Sequence, residues 1–171
     1  SGRSPKSLTL DEFKKRGISH IPSRGPLPVS VPGCVDAWFE LHQKFGSMPM
    51  SKVLEKAVSY ARNGFPVHGE LAHSLKNVVS LYDQYPNVAQ HYYPKGQVPV
   101  EGDIFKNPNL ANTLERIGKE GRDVFYKGDM ARTMDAFMKK NGGFLSYGDM
   151  ASHTSTWVDP VSVNYRGYDV W

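Results

Sequence analysis

Ser30-Val31-Pro32-Gly33-Cys34-Val35-Asp36-Ala37-Trp38 is the stretch where an extended chain turns into a helix. Its reading sets the fold class. Upstream, Pro22, Pro26, Pro28 and Pro32 crowd residues 21–32. Each proline fixes φ and removes a backbone donor, so this segment is read as an extended connector. Pro32 also suits the first position of a helix, where a missing N–H costs nothing. Downstream, Val35, Trp38, Leu41, His42 and Phe45 recur at helical spacing and are expected to form one inward stripe, with Gly46 as the stop.

The same grammar extends in both directions. Thr9 and Glu12 fit a capping box opening a short helix to Arg16, and Gly17 permits a left-handed stop. Val53, Leu54, Ala57, Val58 and Ala61 predict a helix over 51–63, ended by Gly64. Leu71, Leu75, Val78, Val79 and Tyr82 predict another over 69–84. Residues 90–105 contain Pro94, Gly96, Pro99 and Gly102 and read as a loop. Asn107-Pro108 is a cap plus first-turn proline for a helix striped by Leu110, Ala111, Leu114 and Ile117. Asp129 is expected to cap a helix that turns Met130, Met134, Phe137 and Met138 inward, up to Gly142-Gly143. Ser146-Tyr147-Gly148-Asp149 predicts one more helical turn. Beyond Thr154 the period changes. Val161, Val163 and Tyr165 alternate, Arg166-Gly167 turns, and Tyr168 and Val170 alternate again, which predicts a strand pair. The fold class is therefore a mainly α segment with a short β pair at its C-terminal end.

Composition narrows the function. The 171 residues are 39% hydrophobic and 22% charged, the balance of an ordinary globular chain. A formal charge of +4, with no basic block longer than Lys14-Lys15-Arg16, argues against nucleic acid as a partner. No apolar run approaches the ~20 residues of a membrane helix. Ser1-Gly2-Arg3-Ser4-Pro5 has neither a methionine nor an apolar signal core, so it reads as a cut end, and the compartment (periplasmic, secreted or cytoplasmic) stays open.

The usual reaction motifs are missing. His20, His42, His68, His73, His91 and His153 are scattered, and His68 and His73 miss the i, i+4 spacing of a zinc helix, so no metal site is expected. Neither a phosphate-binding glycine loop nor a G-x-S-x-G elbow occurs, and no cofactor is expected. The single Cys34 excludes an internal disulfide, and its apolar neighbours make it a small core residue. The methionine and aromatic stripes read as core, each buried side chain contributing about 1.5–3 kcal/mol.

Five phrases in one order point further. They are Ser30–Trp38, Tyr60-Ala61-Arg62-Asn63-Gly64-Phe65-Pro66-Val67, Phe125-Tyr126-Lys127-Gly128, Lys140-Asn141-Gly142-Gly143 and Tyr165-Arg166-Gly167-Tyr168. Together with Asn109-Leu110-Ala111 they resemble the large-subunit half of the gamma-glutamyltranspeptidase family of N-terminal-nucleophile (Ntn) hydrolases. Ala37 stands where that family usually has glycine.

The resemblance implies an αββα sandwich, with residues 1–153 as its helical lobe and 154–171 as strand leading into the sandwich core. It implies a precursor that cleaves itself before a threonine, whose amine is then the base and whose hydroxyl is the nucleophile. The substrate would be a small amide such as glutathione, losing a gamma-glutamyl or similar acyl group. The partner would be the protein's own small subunit. No catalytic residue is expected within these 171 residues, and the piece alone is expected to be inactive. The family's carboxylate-binding arginine falls, aligned on Pro5, at Ser1. Arg3, two residues on, is the candidate replacement, with a solvated arginine as the alternative. That departure favours a cephalosporin or glutaryl acylase-like member. A stand-alone helical binding module and a degenerate, non-catalytic member are the competing readings.

Overall fold

The computed structural model describes residues 2–82, 85–93 and 96–171. Ser1, the last two positions of the predicted helix 69–84 and Pro94 of the predicted loop lie outside them. In chain order the elements are α1 (Leu10–Lys15), α2 (Cys34–Phe45), α3 (Met50–Asn63), β1 (Phe65–Pro66), α4 (Gly69–Tyr82), α5 (Pro86–Tyr92), β2 (Ile104–Phe105), α6 (Pro108–Glu120), α7 (Arg122–Tyr126), α8 (Asp129–Lys140), α9 (Tyr147–Ala151), β3 (Val163–Tyr165) and β4 (Tyr168–Val170). Over the described residues the chain is mainly helical with two small antiparallel strand pairs. Contacts divide it into two compact units, residues 1–46 with 122–171, and residues 47–121.

In the unit of residues 47–121, α3 and α6 pack as a helical pair. Ala61, Ala111 and Ile117 are buried, while Val53 and Leu110 of the predicted stripes stay exposed. Arg62 staples the pair, donating to Asn112 Oδ1 at 3.0 Å and Glu115 Oε2 at 2.8 Å. At Gly118 the helices come so close that a Cβ would sit 2.9 Å from Ser51 Cα. Alanine in a helix normally adds up to about 1 kcal/mol over glycine. Here Gly118→Ala is expected to lower stability instead, read as a lower urea midpoint. A raised midpoint would mean that the helices slide apart freely.

β1 pairs with β2 through Phe65↔Phe105 and Pro66↔Ile104. This pair falls where the sequence reading placed a helix stop and a loop. Strands of two residues give no period to read, and the pairing exists only because residues 38 and 40 positions apart meet. The loop reading of 90–105 is also corrected at its start, which is the end of α5. Gly64 is required at the entry to β1, since its φ is +97° and a Cβ would meet Ile104 Cγ2 at 2.4 Å. Tyr92 and Phe65 both pack on Phe105, at ring separations of 6.1 and 5.9 Å.

The unit of residues 1–46 and 122–171 is built around Tyr126, which is fully buried with Ala131 and Met150, among the buried Val31, Val35, Phe144 and Leu145. Helix α1 begins at the predicted Thr9 cap, which accepts from the Glu12 amide at 3.3 Å, but the Glu12 carboxylate takes Arg16 Nε at 3.1 Å instead of closing the capping box. Phe13 stacks on Phe144 at 5.6 Å, and Arg16 lies over Phe144 and donates to the Gly142 carbonyl at 2.8 Å. Helix α9 carries the full capping box of Ser146 and Asp149. The β3–β4 hairpin has the predicted Arg166-Gly167 turn, with φ of +51° and +85°, as a two-residue primed turn requires.

Three expectations about the second and eighth helices are corrected in this unit. Helix α2 starts at Cys34 with Gly33 as its cap, so Pro32 lies outside it. Its buried residues are Val35 and Asp36, while Leu41 and Phe45 are half or more exposed. Only the first turn of α2 lies over Tyr126, so helical spacing further along had no core to meet. Helix α8 is capped by Gly128 rather than Asp129, and it buries Ala131 and Met138 while Phe137 is exposed.

Candidate functional site

The polar centre of this unit is a buried ion pair. Asp36 in the first turn of α2 is only 2% exposed. Its Oδ1 accepts from Arg122 Nε at the start of α7, and its Oδ2 accepts from the Ser155 amide. The Arg122 guanidinium also donates to the His153 carbonyl, and to Asp123 Oδ1 at 3.0 Å. Its plane lies 4.4 Å from the Tyr126 ring centre. Tyr126 donates its hydroxyl to the Pro32 carbonyl at 2.6 Å and accepts from the Asp36 amide at 3.0 Å. The phrase Pro32–Asp36 is thus tied to Phe125-Tyr126 from the inside.

Burial alone would raise the Asp36 pKa, but the hydrogen bonds from Arg122 and Ser155 outweigh it and hold the carboxyl below its ordinary value. Burial likewise opposes the charge on Arg122, and the Asp36 carboxylate more than restores it. His153 stacks on Tyr126 at 5.2 Å. Its Nε2 is buried without a hydrogen-bond partner, 3.7 Å from Asp36 Oδ2. Burial pushes its pKa down, Asp36 opposes this, and Arg122 and Arg3 add to it.

Beside this cluster lies a shallow cleft of about 60 Å³, lined among others by Arg3, Ser4, Lys6, Ser152, His153 and Thr154. Arg3, the residue singled out in the sequence, is exposed there. Its carbonyl accepts from the Val31 amide at 2.9 Å, which runs the N-terminal segment alongside the proline-rich connector. Arg3 and Lys6 beside so small a space suit a carboxylate-sized anion. Asp149, also in the wall, is committed elsewhere: it accepts from the Lys6 amide at 3.0 Å and from Ser146. Ser1 lies outside the described residues.

Other candidates separate. Cys34 is exposed, not core, because Val35 and Asp36 take the inward side of the first turn. His68 accepts from the Leu71 amide at 3.3 Å at the start of α4, and His73 pairs with Asn77 at 2.7 Å. Among the described residues no three His, Cys, Asp or Glu side chains gather as a metal site.

Sequence reasoning missed Asp36, Arg122 and His153. One signal was present: Asp36 is a carboxylate directly beside Val35, at the inward edge of a predicted helix. Nothing local says which cation it meets, because Arg122 is 86 positions away.

The profile of the family described as gamma-glutamyltranspeptidase matches residues 1–171. The chain belongs to the gamma-glutamyltranspeptidase family. A glutathione hydrolase-like YwrD proenzyme of Bacillus subtilis (strain 168) is 37% identical over 172 residues, covering 100% of this chain and 32% of that protein. A glutathione hydrolase proenzyme of Escherichia coli (strain K12) is 35% identical, covering 98% of this chain and 30% of that one. Among solved structures, cephalosporin acylase from Bacillus halodurans superimposes with a TM-score of 0.94 at 36% identity, over 99% of this chain and 33% of that chain. Helicobacter pylori gamma-glutamyltranspeptidase gives 0.90 at 31% identity, over 99% of this chain and 50% of that chain. The chain therefore spans about a third of the length of the curated relatives it matches. Several family phrases now have physical roles. Tyr126 of Phe-Tyr-Lys-Gly is the buried anchor, Gly64 of Arg-Asn-Gly-Phe is the tight entry to β1, and Arg166-Gly167 is the hairpin turn. Among the described residues no helix is long and apolar enough to cross a membrane.

Proposed function

We propose that this chain is the helical lobe of the large subunit of a gamma-glutamyltranspeptidase-like Ntn hydrolase, with residues 154–171 leading into an αββα sandwich. The whole protein cleaves or transfers a gamma-glutamyl or similar acyl group from a small amide such as glutathione. A threonine freed at the start of its small subunit is the nucleophile, its amine the base, and backbone donors hold the oxyanion. The 171 residues hold none of that machinery and are inactive alone. The reading rests on one observation: the likeness to both a transpeptidase and an acylase runs through nearly the whole chain, not through one motif.

A second reading, within the same chemistry, is the acylase-like branch. The family arginine that grips the substrate carboxylate is replaced by Ser1, and Arg3 lines a small cationic cleft instead. Arg3 is the candidate substrate-binding residue of this chain. A helical binding module acting alone is the competing class.

The test is to express the full-length precursor, let it stand, and sequence new N-termini by mass spectrometry. A fragment that begins with threonine is expected. A precursor that stays intact would remove the Ntn reading and bring the binding module forward. In the matured protein, Arg3→Ala is expected to raise KM about 10-fold for acyl donors that carry a free carboxylate, roughly one lost charge-assisted hydrogen bond. Unchanged KM would leave Arg3 a solvated arginine.

A further inference from the structure

Residues 153–157 form the passage from the helices towards the β3–β4 hairpin, and little holds them. The His153 carbonyl is gripped by Arg122 and the Ser155 amide by Asp36. Trp157 donates its indole N–H to Glu40 at 3.0 Å and packs under Lys44 at 4.2 Å, both on the solvent side of α2. Beyond Ser155 every residue is exposed. On the buried side the grip therefore depends on one carboxylate that serves a guanidinium and an amide together, and Trp157 adds only surface contacts.

His153 faces that carboxylate with a nitrogen that does nothing in the neutral state. A buried imidazole nitrogen without a partner is costly, and proton uptake would give it a charge 3.7 Å from Asp36 Oδ2. The charged groups around it are Asp36 from α2, Arg122 from α7, Arg3 and Lys6 from the N-terminal segment, and Asp149 from α9, with the Tyr126 ring stacked on its face. An imidazolium there competes with Arg122 and the Ser155 amide for the same carboxylate, and sets two cations side by side in a buried space.

We propose that Asp36, Arg122 and His153 form an acid-sensitive latch: with His153 neutral, Asp36 holds residues 153–157 against α2 and α7, and protonation of His153 releases them. This does not depend on the acyl-transfer reading. The direction follows from linkage. The closed form holds the His153 pKa below its ordinary 6.5. The open form, with a solvated imidazole, takes the proton first. Latch stability is therefore complete above pH 6.5 and is lost as pH falls through the lower, closed-form value.

The experiment is hydrogen exchange by mass spectrometry on the full-length protein at pH 7.5 and 5.0, with rates corrected for intrinsic exchange. The peptide covering 153–157 is expected to lose protection about 10-fold at pH 5.0, while peptides from α8 stay unchanged. In His153→Gln, which keeps a polar group but cannot titrate, the pH effect should vanish. A wild-type peptide equally protected at both pH values would overturn the latch, as would an equal loss in wild type and His153→Gln. Should that variant misfold, the proton NMR titration of wild-type His153 decides: a ring that titrates at or above 6.5 with 153–157 still protected refutes it.

Discussion

Tyr126→Ala is expected to destabilise the unit of residues 1–46 and 122–171 by about 4 kcal/mol, within the usual range for removing a buried aromatic ring. Tyr126 is 0% exposed and is the largest fully buried side chain among the described residues. Its ring carries Phe125 on one edge at 5.0 Å, His153 stacked at 5.2 Å and the Arg122 guanidinium at 4.4 Å. Truncation leaves a cavity and also strips the Pro32 carbonyl and the Asp36 amide of their partner. Tyr126→Phe separates the two effects. It keeps the ring and removes the hydroxyl, so about 1–3 kcal/mol is expected, the cost of leaving buried polar groups unpaired. Urea unfolding of the 171-residue chain measures both. If Tyr126→Phe cost as much as Tyr126→Ala, the hydroxyl rather than the packing would anchor the α2 entry.

Arg122→Leu is expected to cost about 3–5 kcal/mol, because it leaves Asp36 as an uncompensated buried charge. Leucine replaces much of the apolar stem, so the loss belongs to the carboxylate. Asp36→Leu costs less, since the Arg122 side chain is 22% exposed and can turn to Asp123 and solvent. The pair Asp36→Leu with Arg122→Leu should recover a large part of the Arg122→Leu loss, a non-additive result read from urea midpoints. Simple additivity would mean that the two groups do not sense each other. The single variant also predicts a changed acid limb. Asp36 is held below its ordinary value of 3.8, so its stabilisation is present above that pH and fades as pH falls through the folded value. Without Arg122 the carboxyl loses the hydrogen bond and the charge that lower it most directly, so it rises relative to the wild type and acid unfolding weakens.

Both effects sit on residues that the sequence reading passed over, and the reason is physical. Tyr126 was noticed only as part of a phrase, although it is the centre of the core. Asp36 is a single carboxylate within Ser30–Trp38, with no local partner to mark it. Arg122 gives no signal of its own because α7, which it opens, is only five residues long. A single turn has no period to detect. Stripes were legible where a helix runs against a partner for its whole length, as Ala111 and Ile117 do in α6. They misled where a helix meets the core at one end only, as in α2, whose Leu41 and Phe45 lie in the open. Cys34 was misplaced by the same shift of one turn.

Local chemistry alone determined the helices with clear caps and stops, the Ser146–Asp149 capping box and the hairpin turned by Arg166-Gly167, since each depends on residues within four positions of one another. The ordered phrases determined the family, because helix stops and packing residues at set intervals survive as a pattern. Tertiary structure decided everything that joins distant positions: β1 against β2, Asp36 with Arg122, His153 over Tyr126, and Arg3 in a cationic cleft. Those contacts depend on a low-dielectric interior, where one carboxylate must find a cation and amides to remain charged. No run of neighbouring residues encodes which ones it finds.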